Sequence, residues 1–354
     1  AWFHFISILK EVSFWAIVIS AMVIILINSI SLGTVYGVDS YPATYFIIEE
    51  LLEMSVFFFI IVMVFYSGEL IWKERGVNLH LIYDALPNNN AVSLLGKFLA
   101  LTGIYSVIML SLIVAGVIFQ SVHGYYKFEL DVYFISFFGD LLPFLLLYTF
   151  VSFLIHVLVN KKFVAYILML TFFIVTIALG LLGYDHDLYT FGGHNLGTYS
   201  QMNGFGHFIT PFLWIKAYWF VFSILLMIIS VLFLVRGTEK KFSARIKQAK
   251  ERFTPAISKI TIASFIVFIG LGSYIYYNTN VLNSSWSKDR QKAYRIGYEQ
   301  DLKQFEKQPQ PTLVAVNLEV ELYPSTRNYT AEGTFILINT TLKPMQEVHI
   351  QKKT

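Results

Sequence analysis

Seven long apolar segments dominate this sequence and constrain its fold more than any other feature. They run approximately over Phe14–Thr34, Tyr45–Ser67, Val92–Phe119, Leu141–Asn160, Phe163–Gly183, Leu213–Val235 and Ala256–Tyr277. Crossing roughly 30 Å of hydrocarbon takes about 20 helical residues, so each segment is long enough to span a membrane. Hydrophobic residues make up 56% of the chain and charged residues only 14%, as is typical of membrane proteins. The sequence therefore predicts an all-α polytopic membrane protein with a short β-rich tail.

The basic residues of the connections fall almost entirely on one side of these segments. That side has Lys10, Lys73, Arg75, Lys97, Lys161, Lys162, Arg236, Lys240, Lys241, Arg245, Lys247, Lys250, Arg252 and Lys259. The other side has only Lys127, with Lys216 inside the sixth segment. Because Lys and Arg accumulate in cytoplasmic loops, we expect a cytoplasmic N-terminus and an extracytoplasmic C-terminal tail.

Charge also limits the partners of the chain. A net charge of +3 is too small to suggest binding to nucleic acid. The basic run from 236 to 252 is expected to bind anionic lipid, and contact with a cytoplasmic protein is the alternative.

The tail after the seventh segment changes character. Residues 278–311 predict a short juxtamembrane helix followed by a proline linker. From 312 onward, apolar and polar residues alternate through Leu322, and again from Tyr329 to Leu337, which predicts two half-buried strands, and Glu347 to Ile350 is a third candidate strand. Because so small a sheet is marginal alone, we expect residues 312–354 to begin an extracytoplasmic β-domain of a longer protein.

A charged, amphipathic block separates the second and third apolar segments. Trp72, Leu79, Ile82 and Leu86 recur at helical spacings and predict a helix with one apolar stripe that Pro87 ends. The helix could rest on the inner leaflet, or it could insert into a groove on a partner protein.

The order of residues in this block resembles the second cytoplasmic connection of ABC type-2 exporter permeases. The similar positions are Glu74-Arg75, Gly76, Leu79 to Ala85, Leu86-Pro87 and Gly96-Lys97. The resemblance implies that a separate ATPase subunit contacts the chain here and drives its movement. The contact residues it implies are Glu74, Arg75, Leu79, Ile82 and Leu86. Gly96 would then allow close helix packing, while Lys97 would extend to the cytoplasm.

A narrower resemblance covers most of the chain. It is similar to bacterial inner-membrane proteins in which such a permease is fused to a gluzincin zinc aminopeptidase. The stretches that carry it are Gly68 to Arg75, Ala85 to Pro87, His156 to Asn160, Met202 to His207, Tyr277 to Asn283 and Gln308 to Tyr323.

This resemblance implies a division of the chain into five parts. They are a six-helix permease half (1–237), a basic cytoplasmic linker (238–255), a seventh transmembrane helix (256–277), the juxtamembrane helix and linker (278–311), and the first strands of the peptidase β-domain (312–354). The permease half would pair with a second half or with a copy of itself.

The sequence contains no catalytic motif that would make this chain an enzyme by itself. It has neither the His-Glu-x-x-His pattern of a gluzincin nor a Gly-x-x-x-x-Gly-Lys-Ser/Thr phosphate loop. ATP would therefore bind a partner subunit, and zinc would bind a peptidase domain outside this chain. We expect the membrane subunit of an ATP-driven transporter. The alternative is a multi-helix anchor for an extracytoplasmic zinc aminopeptidase.

Two features of the outer half invite a functional interpretation. Glu49, Glu50 and Glu53 could line a translocation path favouring cationic or peptide-like cargo, or could lie at headgroup level or pair with Lys216. The connection Tyr184 to Pro211 is expected to form a structured cap. A metal site is the less favoured alternative, with candidate ligands Asp185, His186, Asp187, His194 and His207.

Overall fold

The computed structural model forms two compact units, residues 1–285 and 286–354. It describes residues 1–29, 34–35, 38–39, 41–86, 89–159, 161–184, 186–193, 195–235, 242–283, 288–324, 328–345 and 347–348.

The first unit is a helical bundle. Its helices are α1 (Trp2–Leu9), α2 (Val12–Ser29), α3 (Thr44–Gly76), α4 (His80–Tyr83), α5 (Asn90–Val122), α6 (Leu130–Phe134), α7 (Leu142–Leu158), α8 (Lys162–Leu181), α9 (Ile209–Phe233), α10 (Phe242–Arg252) and α11 (Pro255–Tyr276). Two residue pairs, Thr34–Val35 (β1) and Val38–Asp39 (β2), form a small antiparallel ladder. The π-helical segment Ile135–Leu141 joins α6 to α7, a second one, Tyr277–Leu282, extends α11, and a 3₁₀ turn, Gly206–Phe208, precedes α9.

Helix α3 is the centre of this bundle, because α2, α5, α7 and α8 all pack against it. Met63 and Tyr66 of α3 are completely buried, as is Tyr105 of α5. Gly68 permits a close approach of three helices: a Cβ there would lie 2.7 Å from the ring of His156 on α7 and would overlap the ring of Tyr166 on α8. Helix α7 in turn packs on α9, and α9 packs on α11.

Each apolar segment expected from the sequence overlaps a helix, although α2 ends at Ser29 and Thr34, the expected end of the first segment, lies in β1. The expected count of seven spans is not confirmed. In the described part of the chain five helices are long and apolar enough to cross a membrane: Asn90–Val122, Leu130–Leu158, Lys162–Leu181, Gly206–Phe233 and Pro255–Leu282. A sixth exists if Trp2–Leu9 and Val12–Val23, bent by 64°, count as one span. Helix α3, with charged residues near both ends, is not among them. The fold is compatible with a polytopic membrane protein.

The second unit contains helix α12 (Lys288–Leu302), a 3₁₀ turn (Lys303–Phe305), and strands β3 (Thr312–Tyr323) and β4 (Asn328–Ile338). The strands pair antiparallel with Val316 opposite Phe335 and Val320 opposite Ala331, so their apolar side chains share a face. All residues of both strands are exposed. Two of the expected strands are therefore present as a hairpin, but they are not half-buried, because no second layer covers either face in the described part of the chain. Residues 347–348 of the third candidate are not in a strand, and Ile350 lies outside the described residues. The expected turn at 324–327 lies mostly outside the described residues.

Candidate functional site

The segment from Val77 to Leu86, called here the tip segment, follows the end of α3. The sequence predicted one helix from Trp72 to Leu86, but α3 ends at Gly76 and only the single turn of α4 follows. The break occurs at Asn78, whose φ of 57° lies in the left-handed region. The Asn78 N–H donates to the Arg75 carbonyl at 3.2 Å, which closes the last turn. Asn enters this conformation more readily than most residues, so it ends the helix where apolar periodicity alone would continue it.

Apolar side chains of the tip segment are exposed rather than packed. The exposed fractions are 66% for Val77, 52% for Leu79, 68% for Ile82 and 51% for Leu86. Leu79, Ile82 and Leu86, three of the five residues expected to contact a partner, are thus accessible. An exposed apolar cluster bordered by polar residues is typical of an interaction surface.

Glu74 faces inward instead. Its Oε2 atom lies 2.8 Å from the Nζ atom of Lys97 on α5, and the Lys97 side chain is 6% exposed against 19% for Glu74. The expectation that Lys97 extends to the cytoplasm is wrong, because its ammonium group is buried against this carboxylate. Gly96 does allow close packing: a Cβ there would lie 3.2 Å from the backbone nitrogen of Ala1. The ion pair fixes the end of α3 to the beginning of α5.

Arg75 is also held inside the bundle end. Its guanidinium donates to the carbonyl of Val235 at 3.1 Å, just beyond the end of α9. Burial lowers the pKa of Arg75, while the charges of Asp84 and Glu74 act in the opposite direction. Like Glu74, Arg75 therefore joins the base of the tip segment to a neighbouring helix.

Two arginines of α10 bind the same group of helix ends. Arg245 donates to the carbonyls of Leu158 at 2.9 Å and Phe233 at 2.8 Å, and Arg252 donates to Leu232 at 3.0 Å. Carbonyls at a helix carboxyl end lack intrahelical donors and carry partial negative charge, so arginine is well suited to them. Burial lowers the pKa of Arg245, and the charges of Arg75 and Arg252 lower it further.

Sequence reasoning missed this role because it counted the charges of the 236–252 run without assigning them to faces. A signal was present: Arg245, Ala249 and Arg252 recur at four and three residues and share one side of α10. Arg245 and Ala249 are buried there. Arg236, Lys240 and Lys241 of the same run lie outside the described residues.

A groove of about 500 Å³ lies beside the base of the tip segment, between α1 and α3. Its lining includes Glu11, Glu69, Lys73 and Lys162. Lys162 forms an ion pair with Glu69, and Lys73 lies 3.9 Å from Glu11 and bonds to Ser7. The groove therefore presents charges of both signs next to the exposed apolar cluster.

The three glutamates near the start of α3 are not brought together in one cavity. Glu49 is exposed and lines a cleft of about 300 Å³ with Asp140, Tyr45 and Tyr199. Glu50 is half-buried and Glu53 is exposed, and neither lines this cleft. Lys216, offered as their ion-pair partner, donates instead to the carbonyl of Gly192 at 3.0 Å.

The connection before α9 is held to the bundle by side chains that donate to its backbone. Besides Lys216, Trp219 donates to Asp187 at 3.1 Å and Tyr148 donates to Phe191 at 3.2 Å. Phe191 itself is buried against the Trp219 ring. These contacts form a structured loop at the end of α7 and α9 opposite the arginines.

His186, a candidate metal ligand, has other partners here. Its Nδ1 atom accepts from the Leu188 N–H at 3.1 Å, and its Nε2 atom lies 2.9 Å from the amide of Asn280. Asp185 and His194 lie outside the described residues. Across the part of the chain that the structure describes, no three His, Asp or Glu side chains are grouped as a metal site requires.

Comparison with protein families, with characterised proteins and with solved structures gives no match for this chain. The function must therefore be inferred from the geometry: an exposed apolar tip on a base that is fixed by buried charges.

Proposed function

We propose that this chain is the membrane subunit of an ATP-driven ABC transporter, and that the tip segment docks a separate ATPase subunit. The observation that carries the proposal is the contrast between the tip and its base. Ile82 is 68% exposed, while Lys97, which binds Glu74, is almost completely buried. A partner that pushes on the tip would displace α3 without first breaking the base.

The contacts of Glu74 and Arg75 at the base of the tip segment would transmit such a displacement to other helices. Glu74 is bound to α5 through Lys97, and Arg75 is bound to the carbonyl that follows α9. A force applied between Val77 and Leu86 would thus reach three long helices together. Rocking of packed helices between two arrangements is a known way to alternate access across a membrane.

The five expected contact residues divide into two groups in this proposal. Leu79, Ile82 and Leu86 contact the ATPase, whereas Glu74 and Arg75 transmit its movement from inside the bundle. The chain would lie in the bacterial inner membrane with its N-terminus in the cytoplasm. It would act with a second permease half or with a copy of itself.

Cargo of a cationic or peptide-like kind would approach through the cleft at Glu49. Its two carboxylates, Glu49 and Asp140, and its aromatic lining from Tyr45 and Tyr199 suit a positively charged group. Glu53 is also exposed but lies outside the cleft, so it provides the matched control. Glu49→Gln should reduce stimulation of ATP hydrolysis by amines or basic peptides, and Glu53→Gln should not.

The alternative is that the bundle only anchors an extracytoplasmic zinc aminopeptidase. The observation that favours it is the β3–β4 hairpin, whose apolar side chains, such as Leu318 and Phe335, are about half exposed or more, as on a sheet face that another layer covers. An anchor needs no exposed apolar tip with a fixed base, so we favour the transporter.

Purification of the full chain in mild detergent from its native host tests the proposal. We expect an ATP-hydrolysing subunit to be recovered with it. Leu79→Asp and Ile82→Asp should each abolish this recovery while leaving the yield of membrane-inserted chain unchanged. Val122→Asp, at a 77% exposed apolar residue at the far end of α5, is the matched control and should retain the partner. Recovery that survives both tip variants, or no ATPase with the parent chain, would overturn the proposal.

A further inference from the structure

Helix α10 is placed where the chain leaves one candidate membrane span and enters the next. Helix α9 ends at Phe233, and α11 begins at Pro255 with Thr254 as its N-cap, whose hydroxyl accepts from the Ile257 N–H at 3.4 Å. Helix α10 packs against α9. A short helix between the same-side ends of two spans lies at the membrane surface.

One side of α10 is used inside the protein. Arg245 is 2% exposed and Ala249 is 7% exposed, and Arg245 and Arg252 are both bound to helix-end carbonyls. The positive charge of these two arginines is therefore directed into the bundle. It does not contribute to an exposed binding surface.

The adjacent side carries an apolar ridge. Phe242 and Ile246 are four residues apart and lie one above the other, and Phe253 follows the helix in the same direction. Their exposed fractions are 58%, 38% and 44%. Helix α11, which follows, exposes apolar residues on opposite sides, because Ile260 and Ile262 lie about 200° apart around its axis and are both more than half exposed. A helix that is apolar and exposed on opposite sides is one that lipid would surround, and its position directly after α10 favours lipid over a protein partner as the cover of the ridge.

Lysines border the ridge. At 100° per residue, Lys250 lies next to Ile246 and Lys247 lies further round toward the polar side. Both are exposed, as is Lys259 in the second turn of α11. An apolar ridge with lysines along its exposed side matches the boundary between acyl chains and negatively charged headgroups, where long basic side chains reach the phosphates.

We propose that this face of α10, formed by Phe242, Ile246, Phe253, Lys247 and Lys250, binds the anionic phospholipid headgroups of the leaflet at which α9 ends. Within the described part of the basic run, the proposal assigns lipid binding to Lys247 and Lys250 rather than to the arginines. It does not depend on the transport function, because an anchored peptidase would need the same contact.

Fluorescence quenching in lipid nanodiscs tests this with the full chain. The chain has no cysteine, so Ser243→Cys places a single environment-sensitive label on the exposed side of α10. Quenching is measured with brominated phosphatidylglycerol and, separately, with brominated phosphatidylcholine. We expect the anionic lipid to quench more strongly, and each lysine to contribute roughly fivefold to this preference at low salt. Higher salt should weaken it.

The double variant Lys247→Gln with Lys250→Gln should abolish the preference for the anionic lipid while both lipids still quench. Lys292→Gln with Lys307→Gln makes the same change of charge at two exposed lysines of the second unit and should leave it intact. Equal quenching by both lipids in the parent would overturn the proposal. So would a label quenched by aqueous iodide and by neither lipid, because that result leaves the face open to water or to a protein partner.

Discussion

The ammonium group of Lys97 lies 2.8 Å from the carboxylate of Glu74 and joins the end of α3 to the second turn of α5. Both residues belong to the block that an apolar stripe and a family resemblance marked as a docking element. The ion pair holds both residues inside the bundle, whereas Ile82 on the same connection is exposed. The block thus has a buried ionic base and an exposed apolar tip.

Glu74→Gln should destabilise the bundle, because it leaves the buried Lys97 ammonium without its counter-charge. Breaking a fully buried pair costs about 3–5 kcal/mol, and the partial exposure of Glu74 reduces the expected loss to roughly 2 kcal/mol. The measurement is the midpoint of thermal unfolding in detergent. Glu69→Gln is the control, since its pair with Lys162 is about one-third exposed and should contribute much less.

A second variant separates the charge of Glu74 from its position. Glu74→Leu with Lys97→Met removes both charges and should recover most of the lost stability. If Glu74 acts only through the base, the double variant should also retain the ATPase partner. Loss of that partner from a stable double variant would show that the carboxylate itself is recognised.

Arg245→Ala should lower the thermal midpoint more than Lys247→Ala at the neighbouring exposed lysine. It removes donors from the carbonyls of Leu158 and Phe233, and each buried acceptor left unsatisfied costs about 1–3 kcal/mol. Arg245→Lys should restore only part of the loss, because one ammonium cannot match the fixed fork of a guanidinium. Equal midpoints for Arg245→Ala and Lys247→Ala would contradict the capping role.

Gly68→Ala should destabilise the contact of α3 with α7 and α8. The added methyl group would lie 2.7 Å from the His156 ring, which is 1% exposed, and it would also overlap the Tyr166 ring. Overpacking of this kind costs about 1–3 kcal/mol. Gly270→Ala is the matched control in α11, where a Cβ meets nothing within 4 Å, and it should be neutral or slightly stabilising. Thermal unfolding of both variants in the same detergent makes the comparison.

Trp219→Phe should loosen the loop that precedes α9 without unfolding the bundle. The ring that packs on Phe191 is largely kept, but the indole N–H bonded to the Asp187 carbonyl at 3.1 Å is lost. Hydrogen exchange followed by mass spectrometry should show faster exchange confined to 186–193. Trp214→Phe, at a 39% exposed indole on the same helix, should leave that exchange unchanged.

The positions of the long helices could be predicted from the sequence, because apolar runs of this length have one common structural outcome. The start of α5, expected at Val92 and found at Asn90, illustrates this. The pairing of Lys97 with Glu74 could not be predicted, since it depends on how α3 and α5 pack across 23 residues of sequence. The same holds for Arg245, whose acceptor Leu158 is 87 residues away. Counting charges along the sequence predicts which side of the membrane a loop lies on. The partner of a given charged side chain can be identified only from the fold.

The left-handed backbone at Asn78, which apolar periodicity did not predict, marks the point where the tip segment turns away from α3. Asn78→Gly should preserve the break at Gly76, because glycine enters this conformation at no steric cost. Asn78→Val should disfavour it by about 1–2 kcal/mol and favour a continuous helix through Leu86. Spin labels at Lys10→Cys and Ala85→Cys, both exposed in a chain without cysteine, report the difference as an interlabel distance. The glycine variant should keep the parent interlabel distance and should still bind the ATPase partner. The valine variant should change the interlabel distance and bind the ATPase partner more weakly. An unchanged distance in the valine variant would show that contacts of the tip segment, rather than Asn78, hold the break.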